Sequence, residues 1–393
     1  METIFAIGSN GSGQLGIGHR EDVSVPKPAL LGGGGDGVVA VEPAQLPPVA
    51  AFAAGGNHSL LLTRSGDLYA AGDLNTGACG LASPDLPAAR ARPPVLHRVH
   101  LPGTARGCAG SEQQQGQATT APGRLVAALW EASVVVGADE QGRRNRVYSF
   151  GCGGKGELGQ GPLIVRAPAP DLIPGFPPAG TEVVDLAACM GHAVAVLDNG
   201  EAWGWGQGRK GQLGAPEGAA VTEPRRIEGV GFVVAKAACG KDFTVLVGER
   251  STGEILVLGS DKWGLKASAP SSVKDWRDVQ ASWGGVYVLQ ANGSILAWGK
   301  NDHGQLPPPS LPPISRMAVG SEHVVAVTED NDAVVAWGWG EHGNCGPQMQ
   351  KPASQTEQWS VIASSKYIPP GSCITAIAAG CATSWVMIGQ SIP

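Results

Sequence analysis

Trp337-Gly338-Trp339-Gly340-Glu341-His342-Gly343-Asn344-Cys345-Gly346 is the stretch from which the fold can be read. A β-rich run, Val334-Val335-Ala336-Trp337, ends in glycine and passes into a turn punctuated by further glycines. The same passage recurs at Gly8 (GSNGSGQLG), Gly72 (GDLNTGACG), Gly151 (GCGGKGELG), Gly206 (GQGRKGQLG), Gly259 (GSDKWG) and Gly299 (GKNDHGQL), which with Gly338 makes seven copies. Their starts lie 64, 79, 55, 53, 40 and 39 residues apart. Repetition across nearly all of the 393 residues outweighs the two or three domains that length alone suggests.

Working backwards from each glycine loop, every copy carries a hairpin. A small-residue turn opens the first strand, as in Gly55-Gly56-Asn57-His58-Ser59, Met190-Gly191-His192 and Ser321-Glu322-His323. A tight turn such as Ser65-Gly66, Asn199-Gly200 or Asn292-Gly293 joins it to the second strand, which ends in the glycine loop. A Pro-bearing segment and a further apolar run then lead to the next copy. Four short antiparallel strands per unit is the content of a propeller blade. The chain begins with a second strand, Ile4 to Ile7, and finishes with a first strand, Thr383 to Ile388. Paired, they complete one hairpin. The expected fold is therefore all-β: a single seven-bladed β-propeller over residues 1–393, closed by its N- and C-terminal strands, with no open edge. Residues 81–124, rich in Ala, Pro and Arg and then in Gly, Ser and Gln, read as a flexible surface insertion, and Gly32 to Gly37 as a shorter one.

Composition narrows the functional classes. Apolar residues make up 42% and charged residues 16%, the balance of a globular chain, and 59 glycines meet the turn demand of many short strands. The net charge is −6, and the longest basic run is Arg143-Arg144-Asn145-Arg146, so direct nucleic-acid binding is not expected. Eight cysteines form no CxxC pair and read as buried free thiols in a reducing compartment. No apolar run is long enough to cross a bilayer, and no signal peptide is recognised. The expectation is a cytoplasmic protein, with the nucleus as a second compartment.

Antiparallel pairing sets the start of the first strand beside the end of the second. The His58-type turn and the glycine loop of each blade should then share one propeller face, which brings Glu322 and His323 beside Trp339, Glu341 and His342. Around the ring the His58 position is read as Ala132, His192, Asp242, Gly284, His323 and Thr383. Three histidines and an aspartate on one face are open to three readings: turn capping, partner contact and catalysis. Opposite blades should lie tens of ångströms apart, whereas metal ligands converge to about 2 Å, so neither a metal nor a catalytic set is expected. GxGxxG occurs at Gly151, Gly206 and Gly338, but no helix of a βαβ unit follows, so these glycines serve turns and no nucleotide cofactor is expected. Trp205, Trp298 and Trp337 end second strands and read as blade packing. Trp339 stands one residue inside a loop, with Glu341, His342 and Asn344 nearby, and is open to two readings, local packing or an interface anchor.

The repeat resembles the regulator-of-chromosome-condensation repeat, and within that superfamily the chain resembles the fungal alpha-tubulin suppressor, or killer-toxin-insensitivity, propellers. Gly8-Ser9-Asn10 with Gln14 to His19, Gly55 to Ser59, Gly240-Lys241-Asp242-Phe243, Gly320 to His323, Trp337 through Gln348 and Gly380 to Trp385 carry the resemblance. It implies a non-enzymatic protein that pairs with a small CSL-type zinc-finger protein, supporting Elongator-dependent wobble-uridine modification of tRNA and diphthamide formation on translation elongation factor two. Elongator itself is a further implied partner; a membrane is not. Partner-binding residues would be Trp339, Glu341, His342, Asn344, Glu322, His323, Lys241, Asp242, His58 and Trp385. The alternative is a guanine-nucleotide exchange factor or scaffold for a small GTPase.

Overall fold

The computed structural model describes residues 1–32, 42–81, 93–103, 121–347 and 359–390. Seven antiparallel sheets stand around an axis. Their inner strands are Val49–Ala54, Gly123–Ala128, Val183–Cys189, Lys236–Cys239, Trp276–Ala281, Ile314–Val319 and Ser372–Ala379, for blades 1 to 7 in that order. Each inner strand packs against the next, and the seventh against the first, so the ring is closed. The seam lies in blade 7, where Glu2–Gly8 pairs with Thr383–Gln390 in the register Ile4↔Met387 and Gly8↔Thr383.

The strands next to the inner ones, the first of each hairpin, explain the sequence pattern best. HSLLLT, ASVVVG, HAVAVL and HVVAVT are buried at every position. A strand in the middle of a blade faces a neighbouring blade on both sides, so near-continuous small apolar residues replace the usual alternation. Seven apolar clusters result among the described residues, one at each junction between adjacent blades. Polar stitches cross the same junctions. Lys236 on the inner strand of blade 4 lies 3.8 Å from Asp185 of blade 3 and 3.2 Å from Asp278 of blade 5. Trp205, Trp298 and Trp337 are buried, and each indole N–H donates to a carbonyl of the preceding blade's loop, at Glu157 (3.1 Å), Leu265 (2.9 Å) and Gln305 (3.0 Å).

Two expectations need correction. Blades 4 and 5 have three strands, not four. After Gly299 the segment that would form a fourth strand holds Pro307, Pro308, Pro309, Pro312 and Pro313, which have no N–H for a ladder. After Gly259 the chain makes a 3₁₀ turn at Lys262–Gly264 instead. The stretch 81–124 is also less of an insertion than expected. His97–Val99 is the outer strand of blade 1, with Val95, Leu96, Val99 and Leu101 buried, and Gly123 already starts blade 2. Residues 82–92 and 104–120 lie outside the described residues, as do 33–37 of the shorter glycine stretch.

Candidate functional site

The hairpin registers put the inner turns and the glycine loops on one face, called here the loop face: His58 pairs with Gly72, His192 with Gly206 and His323 with Gly338. They also shift two assignments by one residue. The partner of Gly259 is Phe243, not Asp242, and the partner of Gly299 is Gly285, not Gly284.

The histidines are structural. His58, His192 and His323 are buried, and each Nε2 meets a hydroxyl of the following blade: Ser133 at 2.8 Å, Thr244 at 3.0 Å and Ser384 at 2.9 Å. Ser133 and Ser384 donate their only proton to the carbonyls of Ala78 and Asn344, both at 2.7 Å. They must therefore accept from Nε2–H, which fixes the tautomer of His58 and His323. Burial lowers all three histidine pKa values to about 4, so the rings are neutral near pH 7. The glycine three residues upstream leaves room for the ring: a Cβ on Gly55 or Gly320 would lie 2.3 or 2.4 Å from the imidazole Cε1.

His58 and His323 thus cannot contact a partner as the sequence reading had it. The same correction applies to Asn344, buried with its amide N–H donating to the Trp339 carbonyl at 2.9 Å, and to Trp385, buried beside Phe52 at a ring-centroid distance of 4.8 Å. Glu322 is nearly buried and its carboxylate is occupied, accepting from Lys300 Nζ at 2.9 Å and Gln305 Nε2 at 2.8 Å. Burial opposes the charge on Lys300, but the bond and charge of Glu322 outweigh it and its pKa is raised. Trp339, Glu341, His342 and Lys241 are exposed and Asp242 is half-buried. His342 Nδ1 meets Asp22 Oδ2 at 2.8 Å, tying the blade 6 loop to blade 7.

The loop face carries more aromatic surface than the sequence reading found. Trp130, Trp263 and Trp339 are 36%, 46% and 38% exposed, unusual for tryptophan. Trp339 stacks on His303 of blade 5, with centroids 4.8 Å apart and planes 20° apart. Trp130 of blade 2 and Trp283 of blade 5 reach across the axis to within 5.9 Å, closing the mouth of the channel. Opposite blades therefore do meet, at their innermost turns, contrary to the expected separation. Around that mouth, turn N–H groups donate to the next blade's turn: Gly56 to Trp130, Trp130 to Met190, Lys241 to Trp283, Trp283 to Ser321 and Ser321 to Gly380. A signal for Trp130 and Trp283 was present, since both replace a small or polar residue of an otherwise repeated turn; Trp263 likewise interrupts a glycine loop. Among the described residues no group of three or more His, Cys, Asp or Glu is placed to hold a metal.

A closed seven-bladed propeller whose loop face gathers exposed tryptophans is the class this chain defines. Comparison with known proteins specifies it. The model of the regulator of chromosome condensation (RCC1) repeat matches residues 2–62, 144–196 and 199–247, and a second RCC1-repeat model matches 49–80. RCC1 repeats therefore recur along the chain, within a propeller of the RCC1 type of fold. It is 29% identical to the RCC1 repeat-containing protein C10F6.04 of Schizosaccharomyces pombe, over 99% of both chains. It is 27% identical to the secretion-regulating guanine nucleotide exchange factor of Mus musculus over 80% of its own length, and spans 64% of that protein. In fold it resembles Prp20p of Saccharomyces cerevisiae, with a TM-score of 0.72, 18% identity and coverage of 100% of this chain and 92% of the other. Human WBSCR16 gives a TM-score of 0.71 at 18% identity, with both chains covered fully.

Proposed function

We propose that this propeller is a non-catalytic docking protein whose loop face receives a small metal-binding protein of the CSL zinc-finger type. Through that partner it would support Elongator-dependent modification of tRNA wobble uridines and diphthamide formation on translation elongation factor two. The observation that carries the docking role is the exposed tryptophans on one face, above all Trp339 stacked on His303 and flanked by exposed Glu341 and His342. Rigid aromatic anchors of this kind dominate protein interfaces. The choice of partner rests on the resemblance of the run Trp337 through Gln348. A non-catalytic role is supported by the histidines, whose Nε2 atoms are bound into blade junctions and whose rings are shielded from solvent.

Affinity purification from cells with the intact chain as bait tests the reading: recovery of a small zinc protein with Elongator is the expected result. Replacing Trp339 and Glu341 together with Ala should weaken capture of that protein by about 2 kcal/mol or more, roughly 30-fold. The melting temperature should change little, because both side chains are exposed. Unchanged capture by the double variant would remove the site assignment. Nucleotide exchange on a small GTPase is the second reading, favoured by the similarity to the mouse exchange factor. Recovery of a GTPase in place of the zinc protein would decide for it.

A further inference from the structure

Between blades 4, 5 and 6 the loop face opens into a cleft of about 170 Å³, room for several waters. Its floor is apolar, with Phe243 and Leu265, and Trp263 and Trp283 stand at its sides. Three ammonium groups surround it. Lys262 and Lys300 lie 5.0 and 5.9 Å from the Trp263 ring centroid, and Lys241 lies 5.8 Å from that of Trp283. Trp263 is a non-glycine residue at φ +69°, a strained conformation that often marks a functional position. Gly284 keeps the cleft open, since a Cβ there would lie 3.0 Å from Lys300 Cβ and 3.3 Å from Trp263 Cδ1.

The carboxylates nearby are mostly engaged. Glu322 is bound by Lys300 and Gln305, Asp302 accepts from Gln305 and His303 (both 2.9 Å), and Asp261 accepts from the Lys266 N–H at 2.6 Å. Asp242 lines the cleft as well. Lys241 and Lys262 form no ion pair among the described residues and rest over indole faces. The lining holds Lys241, Lys262 and Lys300 against Asp242 and Glu322, a surplus of one cation in a chain of net charge −6.

We propose that this cleft binds an acidic peptide segment of a protein partner, an apolar side chain entering between Trp263 and Trp283 and flanking carboxylates meeting Lys241 and Lys262. It deepens the docking reading of the loop face and names a second contact, separate from Trp339. Charged rim and apolar floor divide the work: the lysines steer and orient the segment, and the aromatic walls hold it.

The test uses the full chain and a fluorescein-labelled, N-acetylated octapeptide of Glu and Asp around one central Leu, followed by fluorescence anisotropy. The octapeptide should bind, and raising salt to about 0.5 M should weaken it as screening shortens the range of the lysine charges. The double replacement Lys241→Glu and Lys262→Glu should weaken binding about 10-fold or more, and Lys262→Arg should not. Gly284→Val should weaken it similarly without changing any charge; Trp263→Ala is the substitute if that variant melts early. A matching peptide with Lys for every acidic residue should not bind. Absence of octapeptide binding, or binding indifferent to both Gly284→Val and Trp263→Ala, overturns the proposal. Because the peptide reads this cleft directly, its failure leaves capture of the zinc protein through Trp339 intact. Conversely, peptide binding without capture of the zinc protein counts against the choice of partner and not against the cleft.

Discussion

Acidifying the protein from pH 7 to pH 4 is expected to remove most of its folding stability, through three buried histidines. His58, His192 and His323 have pKa values lowered from 6.5 to about 4 by burial. Above pH 6.5 folded and unfolded chains both hold them neutral, and their contribution is complete. As pH falls below 6.5 the unfolded chain takes up three protons that the folded chain refuses until about pH 4. Stability therefore falls with pH across that window. At about 1.4 kcal/mol for each tenfold change in acidity, each histidine accounts for about 3 kcal/mol, so three together rival the ~5–15 kcal/mol stability of a typical domain. The bond from Nε2 to Ser133, Thr244 or Ser384 survives protonation, but the charge would sit in an apolar blade junction with Nδ1 of His192 and His323 unpartnered. Urea titrations from pH 7 to 4 should show the midpoint falling steeply below about 6.5, and His192→Gln should remove about one third of the slope. A level midpoint down to pH 4.5 would contradict the assignment. The lowered carboxylates act elsewhere, because Asp139 and Asp302 are held at about 2 by hydrogen bonds and respond only in stronger acid.

Gly72→Ala is the second large effect. Gly72 ends the second hairpin strand of blade 1 at φ +129°, and a Cβ would lie 2.2 Å from the Asn57 carbonyl oxygen and 2.6 Å from the His58 Cα. That same carbonyl accepts the Asp73 N–H at 2.8 Å, the bond that turns the chain into the glycine loop. A methyl group can be admitted only by breaking this bond or opening the hairpin beside His58. The loss should be about 4 kcal/mol or more, the range reserved for named structural faults. Gly154→Ala is the control. Gly154 lies in the loop of blade 2 with nothing within 4 Å of its added Cβ and no positive φ, so its effect should stay within about 0.5 kcal/mol. Equal melting of the two variants would show that glycine content, not this close approach, sets the requirement.

The repeat made the fold legible because its cause is local. Gly8, Gly72, Gly151, Gly206, Gly259, Gly299 and Gly338 all have positive φ, and in each case a Cβ would lie 2.2–2.6 Å from a carbonyl oxygen of the adjacent turn. A backbone demand that recurs in every blade leaves the same residue at every recurrence, so the blade count and the shared face could be read from spacing. The complementary terminal strands showed ring closure for the same reason. The site was only partly legible. Trp339, Glu341, His342 and Lys241 are exposed as the docking reading requires, whereas His58, His323, Asn344, Trp385 and Glu322 are not.

The sequence by itself determined the hairpins, their number, the face shared by turns and loops, and the strand pairing that closes the ring, all consequences of short-range pattern and backbone sterics. Tertiary structure alone decided which polar side chains of that face are spent. His58 meets Ser133 in the next blade, 75 residues away, and His323 meets Ser384, 61 residues away. Trp130 and Trp283 meet across the axis from blades 2 and 5. A histidine at a turn looks the same in sequence whether its ring points to solvent or into the next blade. Only the closing of the ring, which brings distant strands to hydrogen-bonding distance, tells the two apart.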